Sequence, residues 1–210
     1  ISGGNFHGEP IAMAMDYLSI ALTELASISD RRMFNLIDYN THKVYADSEQ
    51  QEPLHGLPGF LIDEPAESEG LNAGLMMLQA TAASLVSDCK VLSHPDTVDS
   101  IPSSASQEDH VSMSLNAARH ARDIVKNVEN VLALEFLCAK QAIALQRAKH
   151  GNENLQQASG TQAASACMQA AGISMLTQDR VLYPDIRKAL KLVKSGELVK
   201  VARHAVQAEA

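Results

Sequence analysis

One long helical pattern constrains the fold of this chain more than any other feature of its sequence. Across residues 111–149, apolar side chains recur at spacings of three and four, as on one face of an α-helix. At a rise of about 1.5 Å per residue, that helix would be about 55 to 60 Å long. A helix of this length exceeds what a domain of 210 residues needs. The pattern therefore predicts a bundle in which several subunits pack long helices side by side.

The remaining regular patterns are also helical, which predicts an all-α fold. Pro10 suits the first turn of a helix, and helical spacing continues from there to about Arg32. A second apolar seam covers residues 71–92, and two short helices are expected within residues 184–206. Residues 155–176 are rich in small side chains and Gln, and their periodicity is weak.

Irregular stretches separate these helices. Residues 38–70 are rich in Pro, Gly, Asp and Glu, and residues 93–106 contain two X-Pro steps that disfavour helix. Loops as long as the first of these are usually functional or mobile. We expect a long-helix bundle segment with functional loops over residues 1–150 and a C-terminal helical segment over residues 151–210.

Composition excludes several classes of protein. The net charge of −8 argues against a nucleic-acid-binding surface, which would concentrate Lys and Arg. No continuous apolar run reaches the roughly 20 residues that span a bilayer, so we expect a cytoplasmic protein without a membrane partner. The three cysteines lie far apart, which favours free thiols over disulfides or a zinc site. The chain starts without Met and close to a dense motif, which suggests a piece of a longer protein.

The first motif that could carry chemistry is Asn-Phe-His-Gly-Glu-Pro, residues 5–10. Its glycine lets backbone approach a ligand, and the N–H groups at the start of the following helix could face an anion such as a carboxylate. A structural alternative is a plain turn, in which Asn5 shapes the backbone and Phe6 fills the core. The residues alone leave both interpretations open.

The second motif, residues 103–110, precedes the long helix and contains Gln107 and Glu108. Ser106 and Asp109 have the three-residue spacing of a helix N-cap and its reciprocal acceptor, which gives Asp109 a structural explanation. Glu108 would also gain from the positive end of the helix. A carboxylate at such a terminus is equally suited to acid–base work or to binding an amine.

Other chemistry-bearing side chains suggest no further site. His7, His94, His110 and His120 lack zinc-type spacing, so no metal site is expected. No Ser lies in a Gly-x-Ser-x-Gly elbow, so a hydrolase triad is unsupported. Glu135 interrupts an apolar stretch of the long helix and should find a buried partner or lie at a subunit contact.

Taken together, the motifs resemble the aromatic amino acid ammonia-lyases, and within them the histidine ammonia-lyases. The resemblance covers nearly the whole chain, in the family's order. It rests on ISGGNFHGEP (residues 1–10), GLNAGLM (70–76), LSHP (92–95) with VDS (98–100), QEDHVSM (107–113) and DRVL (179–182).

The resemblance implies the C-terminal part of an all-α ammonia-lyase fold that assembles as a tetramer with shared active sites. The family's cofactor is 4-methylideneimidazole-5-one (MIO), formed autocatalytically from an Ala-Ser-Gly segment. Residues 158–160 spell Ala-Ser-Gly but lie far downstream of the family position and lack its surrounding motif. We therefore expect the genuine tripeptide upstream of this chain and no activity from the chain alone.

The resemblance also assigns roles to site residues. Asn5 and Phe6 would line the pocket for substrate and cofactor, and Gln107 and Glu108 would lie at the substrate-binding end. Glu108 is the expected catalytic residue, whether it binds the imidazole, holds the amine or moves a proton. A Glu in this context favours L-histidine as substrate, converted to trans-urocanate and ammonia. Ala73 replaces the Ser that the family generally has, which places the substrate in question.

Two alternatives remain open. A phenylalanine or tyrosine ammonia-lyase, or an aminomutase, would use the same scaffold on a different amino acid. A helical assembly protein could instead retain the scaffold without the chemistry, and a native protein that lacked the upstream lyase segment would support that reading.

Overall fold

The computed structural model describes residues 4–38, 57–63, 70–151 and 158–208. Its regular structure within these ranges is helical. The six α-helices are α1 (Glu9–Ile37), α2 (Met76–Leu92), α3 (Ser114–His150), α4 (Ser159–Ala170), α5 (Tyr183–Ser195) and α6 (Glu197–Ala208). Short 3-10 turns cover Gly4–His7, Gly59–Leu61, Asp96–Val98 and Ser104–Ser106. The prediction of an all-α fold is confirmed, while most of the expected loop over residues 38–70 lies outside the described residues.

Helix α3 confirms the predicted long helix but begins later than its sequence suggested. It has 37 residues, which corresponds to about 55 Å. The prediction of a cap at Ser106 with Asp109 as reciprocal acceptor is wrong, because Ser104, Ala105 and Ser106 adopt positive φ angles and the helix starts only at Ser114. Glu108 therefore lies outside the first turn, and the proposed charge–dipole role at this helix end is wrong too.

The other helix limits follow from local backbone chemistry. α2 starts at Met76 rather than near residue 71, because Gly74 has a φ of +56° that a helix does not accept. α1 extends to Ile37, five residues beyond the expected end. The two short C-terminal helices are confirmed, and Gly196, with a φ of 69°, separates them.

The first compact unit consists of Ile1–Ile28 and Ala83–Val131. Its core is aliphatic and includes Ala12, Ala26, Val86, Cys89, Ala117, Ile124, Val128 and Val131. Thr23 donates from its hydroxyl to the carbonyl of Cys89, which joins α1 to α2. The buried Asp16 accepts hydrogen bonds from the backbone N–H and the hydroxyl of Thr97, at 3.0 and 2.8 Å.

The second compact unit consists of Ser29–Ala82 and Leu132–Ala210. Its core includes Met33, Leu61, Leu75, Leu78, Leu134, Leu137, Met168, Ile173, Leu176, Ala189 and Leu198. Glu135 accepts hydrogen bonds from the Ser29 hydroxyl and from the Arg32 guanidinium, which confirms that it has a partner. These hydrogen bonds from Arg32 to Glu135 raise the pKa of Arg32. The predicted division of the chain at residue 150 stays a prediction.

Helix α1 is the one described helix that is long and apolar enough, by length and composition, to cross a membrane. The core helix of a soluble protein meets the same criteria. Acidic residues interrupt the apolar run of α1, and two of them, Asp16 and Asp30, are buried. Asp16 accepts hydrogen bonds from Thr97, and Asp30 accepts one from Gln79. Such satisfied buried carboxylates are typical of a helix that packs inside a protein.

Candidate active site

The first motif forms a tight turn in unit 1 that leads into α1. Gly8 has a φ of +82°, and a Cβ at this position would lie only 3.0 Å from the hydroxyl oxygen of Ser114, so another residue would be strained there. Phe6 is fully exposed, at 101% of its reference area, and the alternative in which it fills the core is therefore wrong for this chain. Asn5 lies within the same turn, Gly4–His7.

The second motif forms a strained loop in unit 1. The backbone N–H of Ser103 donates to the carbonyl of Glu108 at 2.9 Å, and the reverse bond measures 3.3 Å. Between them, Ser104, Ala105 and Ser106 have φ angles of 52°, 54° and 67°. Each such non-glycine residue costs on the order of 1–3 kcal/mol and persists only where surrounding contacts enforce it. The loop leaves the side chains of Gln107 and Glu108 exposed, and neither makes a hydrogen bond within the described part of the chain.

Two polar contacts fix this loop from outside. The imidazole Nε2 of His7 lies 2.7 Å from the carbonyl oxygen of His110, and the two imidazole rings are stacked. The backbone N–H of Val111 donates to the hydroxyl oxygen of Ser100 at 2.8 Å. The structure thus brings together the turn that carries Asn5 and Phe6 and the loop that carries Gln107 and Glu108. Sequence reasoning assigned no role to His7 or Ser100, although both lie inside motifs that it identified.

Ala73 lies at a different loop junction, in unit 2. The backbone N–H groups of Ala73 and Gly74 donate to the two carboxylate oxygens of Asp179, at 2.7 and 2.9 Å. In return, the N–H of Asp179 donates to the side-chain oxygen of Asn72 at 2.7 Å. Position 73 thus contributes to this junction through its backbone, and its methyl group is exposed. Because the junction uses backbone N–H groups, alanine at position 73 in place of serine leaves it intact.

Unit 2 also contains a small cavity of about 20 Å³ lined by leucines together with Lys140, Gln141, Arg180 and Asp185. A cavity of this size holds about one water molecule and is too small for an amino acid. Burial lowers the pKa of Lys140, and the carboxylate of Asp185 partly opposes this effect. Among the described residues, no group of three or more His, Cys, Asp or Glu is arranged to hold a metal ion.

Comparison with known proteins places these motifs in one family. Residues 1–170 match the family described as aromatic amino acid lyase. The chain is 47% identical to the histidine ammonia-lyase of Caldanaerobacter subterraneus subsp. tengcongensis over 203 residues, which are 97% of this chain and 35% of that protein.

Solved structures agree with the sequence match. The crystal structure of histidine ammonia-lyase from Trypanosoma cruzi has a TM-score of 0.82 and 38% identity, and the match covers 98% of this chain and 36% of that one. Tyrosine aminomutase from Streptomyces globisporus has a TM-score of 0.80 and 30% identity, with 97% and 34% covered. The chain spans about a third of the length of these proteins. Because the family match extends over most of its residues, the chain belongs to the aromatic amino acid lyase family.

Proposed function

We propose that this chain is the C-terminal part of a longer enzyme, here called the parent protein, that eliminates ammonia from L-histidine to give trans-urocanate. The observation that carries the proposal is the exposed carboxylate of Glu108, held on a strained loop beside the turn of Phe6. Similarity to several proteins named histidine ammonia-lyase supports the choice of substrate.

The proposed cofactor is MIO, formed from an Ala-Ser-Gly segment of the parent protein upstream of Ile1. MIO supplies an electrophile that makes ammonia a viable leaving group. The residues of this chain fit such a group, because Phe6 offers an exposed apolar ring, and Gln107 and Glu108 offer exposed polar groups. The Ala-Ser-Gly at residues 158–160 begins α4, where Gly160 approaches the backbone of Ala202 in α6, so it has a helical packing role.

Within this scheme, Asn5 and Phe6 line the pocket, and Gln107 binds the substrate. Glu108 is the catalytic residue, and its carboxylate binds the positively charged part of the substrate or accepts the proton that elimination releases. A carboxylate attracts an imidazolium or ammonium group more strongly than an amide does. Both histidine and phenylalanine have an α-ammonium group, so the carboxylate supports a histidine substrate only through contact with the imidazole side chain, which phenylalanine lacks.

The parent protein is proposed to be a cytoplasmic homotetramer without a nucleic-acid or membrane partner. Large apolar side chains that are exposed in this chain support subunit packing, because exposed apolar patches mark interaction surfaces. They lie on α1 and α3 and include Ile11, Met13, Tyr17, Ile20, Leu25, Ile28, Leu115 and Val125.

The test compares urocanate formation from L-histidine by the parent protein, its Glu108→Gln variant and its Asp109→Asn variant. Asp109 is the matched control, because it is the neighbouring exposed carboxylate. We expect Glu108→Gln to lower kcat about 10²- to 10⁴-fold, the range of general acid–base catalysis, while Asp109→Asn stays within a few-fold of the parent. The isolated chain should be inactive. Full activity of Glu108→Gln would remove Glu108 from the chemistry.

The second candidate is an aminomutase or a lyase acting on tyrosine or phenylalanine, and similarity to a tyrosine aminomutase structure favours it. The same parent protein would be incubated with each amino acid and its products identified. Formation of an arylacrylate or a β-amino acid, with no urocanate from histidine, would overturn the histidine assignment and leave the family unchanged.

A further inference from the structure

The side chain of His7 connects the two loops that carry the proposed site residues. Its Nε2 lies 2.7 Å from the carbonyl oxygen of His110, and the two imidazole rings stack with centroids 5.4 Å apart and planes 7° from parallel. A carbonyl oxygen only accepts, so Nε2 of His7 carries the hydrogen and donates it. The contact spans 103 residues of sequence and lies within unit 1.

The accepting carbonyl lies two residues beyond Glu108. The backbone N–H and carbonyl of Glu108 itself pair with Ser103, and after His110 the N–H of Val111 donates to the hydroxyl oxygen of Ser100. Among these contacts, the bond from His7 is the one that reaches the turn of Phe6. Because the loop also contains the positive-φ residues 104–106, its shape depends on such outside contacts.

The His7 contact is placed to affect loop geometry more than folding. His7 and His110 are both exposed, and an exposed hydrogen bond adds little to the free energy of unfolding. By contrast, a shift of about 1 Å in a catalytic group can cost on the order of 10²-fold in rate. Loss of the contact should therefore be seen first in the rate of the chemical step.

We propose that His7 is a positioning residue: its Nε2–H hydrogen bond to the carbonyl of His110 sets the place of the Glu108 carboxylate relative to the turn of Phe6. This inference rests on the proposed function. His7 acts through Glu108 and does not itself contact the substrate.

The experiment uses the full-length parent protein with His7→Phe, His7→Gln and Glu108→Gln, and the double variant His7→Phe/Glu108→Gln. Phenylalanine retains an aromatic ring for stacking but has no donor, whereas glutamine places an amide N–H at about the reach of Nε2. We expect His7→Phe to lower kcat about 10-fold with KM changed less than about 3-fold, and His7→Gln to retain most of kcat. In the Glu108→Gln background, His7→Phe should cause almost no further loss.

Two outcomes would overturn the proposal. A His7→Phe variant with unchanged kcat would show that the contact does not position Glu108. If the fold-losses in kcat of His7→Phe and Glu108→Gln multiplied in the double variant, His7 would act independently of Glu108.

A second readout separates this proposal from the proposed function, because it needs no turnover. Amide hydrogen exchange across residues 107–113 of the parent protein should be faster in His7→Phe than in wild type, and near wild type in His7→Gln. Unchanged exchange in His7→Phe would overturn the positioning role even in a fully active enzyme. If the parent protein does not act on histidine but amide hydrogen exchange follows this pattern, the substrate assignment fails and the role of His7 in holding the loop stands.

Discussion

Each unit brings two distant loops together, but the contacts that hold them differ in kind. In unit 1, the exposed side chain of His7 reaches the backbone of the exposed Glu108 loop. In unit 2, the buried side chain of Gln141 donates to the carbonyls of Leu61 and Leu176, at 2.9 and 2.8 Å. It also accepts from the N–H of Leu176 at 2.9 Å.

Backbone in the left-handed region occurs at both junctions, with and without glycine. Where unit 2 needs a positive φ at residue 74, it has glycine, and a Cβ there would lie 2.5 Å from the carbonyl oxygen of Phe60. Unit 1 uses Ser104, Ala105 and Ser106 in the same left-handed region without a glycine among them. Unit 2 has the same conformation at two non-glycine residues, Phe60 and Leu61, with φ angles of 52° and 55°, and Leu61 accepts the hydrogen bond from Gln141. Positive φ angles are therefore common to both junctions, and the difference between them is exposure: the Glu108 loop is exposed, whereas Leu61 and Gln141 are buried.

The largest expected effect tests the buried junction of unit 2. Replacing Gln141 with Leu leaves three buried backbone groups of Leu61 and Leu176 without their side-chain partner. At about 1–3 kcal/mol for each unsatisfied group, the three groups together should lower the free energy of unfolding by at least about 3 kcal/mol. Chemical denaturation of the parent protein at fixed concentration measures this change, with Gln169→Leu on the exposed side of α4 as the control. A loss below about 1 kcal/mol would mean that Gln141 does not hold the junction.

The helices of this chain could be predicted from sequence because the apolar spacing within one segment is enough to indicate a helix there. Apolar spacing marked α1, α2 and α3, and the isolated charge at Glu135 within an apolar stretch correctly indicated a partner. The start of α3 could not be predicted this way. Ser106 and Asp109 have the spacing of a cap, but contacts from His7 and Ser100 hold the preceding loop in a different conformation.

The candidate site shows the same limit. Its residues Asn5, Phe6, Gln107 and Glu108 were indicated by motifs and remain proposals. The link through His7 joins segments 103 residues apart, and the Asp179 contact to Ala73 joins segments 106 residues apart. Local patterns carry no information on such pairs, because the partners meet only when the helices between them have packed.

A smaller effect is expected from the thiol of Cys138 in the core of unit 2. Burial raises the pKa of Cys138 to about 12, from an ordinary value of 9.0. The unfolded chain releases the thiol proton of Cys138 at lower pH than the folded chain does. The contribution of the protonated thiol to the free energy of unfolding is therefore complete below pH 9.0. That contribution is lost as the pH rises from about 9 toward 12.

The measurement compares wild type with Cys138→Ala across alkaline pH. The cavity left by alanine lowers the free energy of unfolding at every pH. The difference in free energy of unfolding between the two proteins should nevertheless narrow by about 1.4 kcal/mol at one pH unit above 9.0. Cys167→Ala, at a partly exposed cysteine, provides the control. A gap that stays constant from pH 8 to about 10.5 would show that the Cys138 thiol is accessible to water on ionisation.

The smallest expected effect tests whether the exposed Glu108 loop of unit 1 is strained. If Ala105 is strained at its φ of 54°, then Ala105→Gly should raise the free energy of unfolding by about 1 kcal/mol, because glycine accepts this conformation without a Cβ clash. The matched change Ala118→Gly, at an exposed position inside α3, should lower it by about 1 kcal/mol, because there glycine only loses conformational entropy. Denaturation of the two variants side by side should therefore give shifts of opposite sign. If both variants were destabilised equally, Ala105 would hold no strain, and outside contacts would not be needed to keep the Glu108 loop in this conformation.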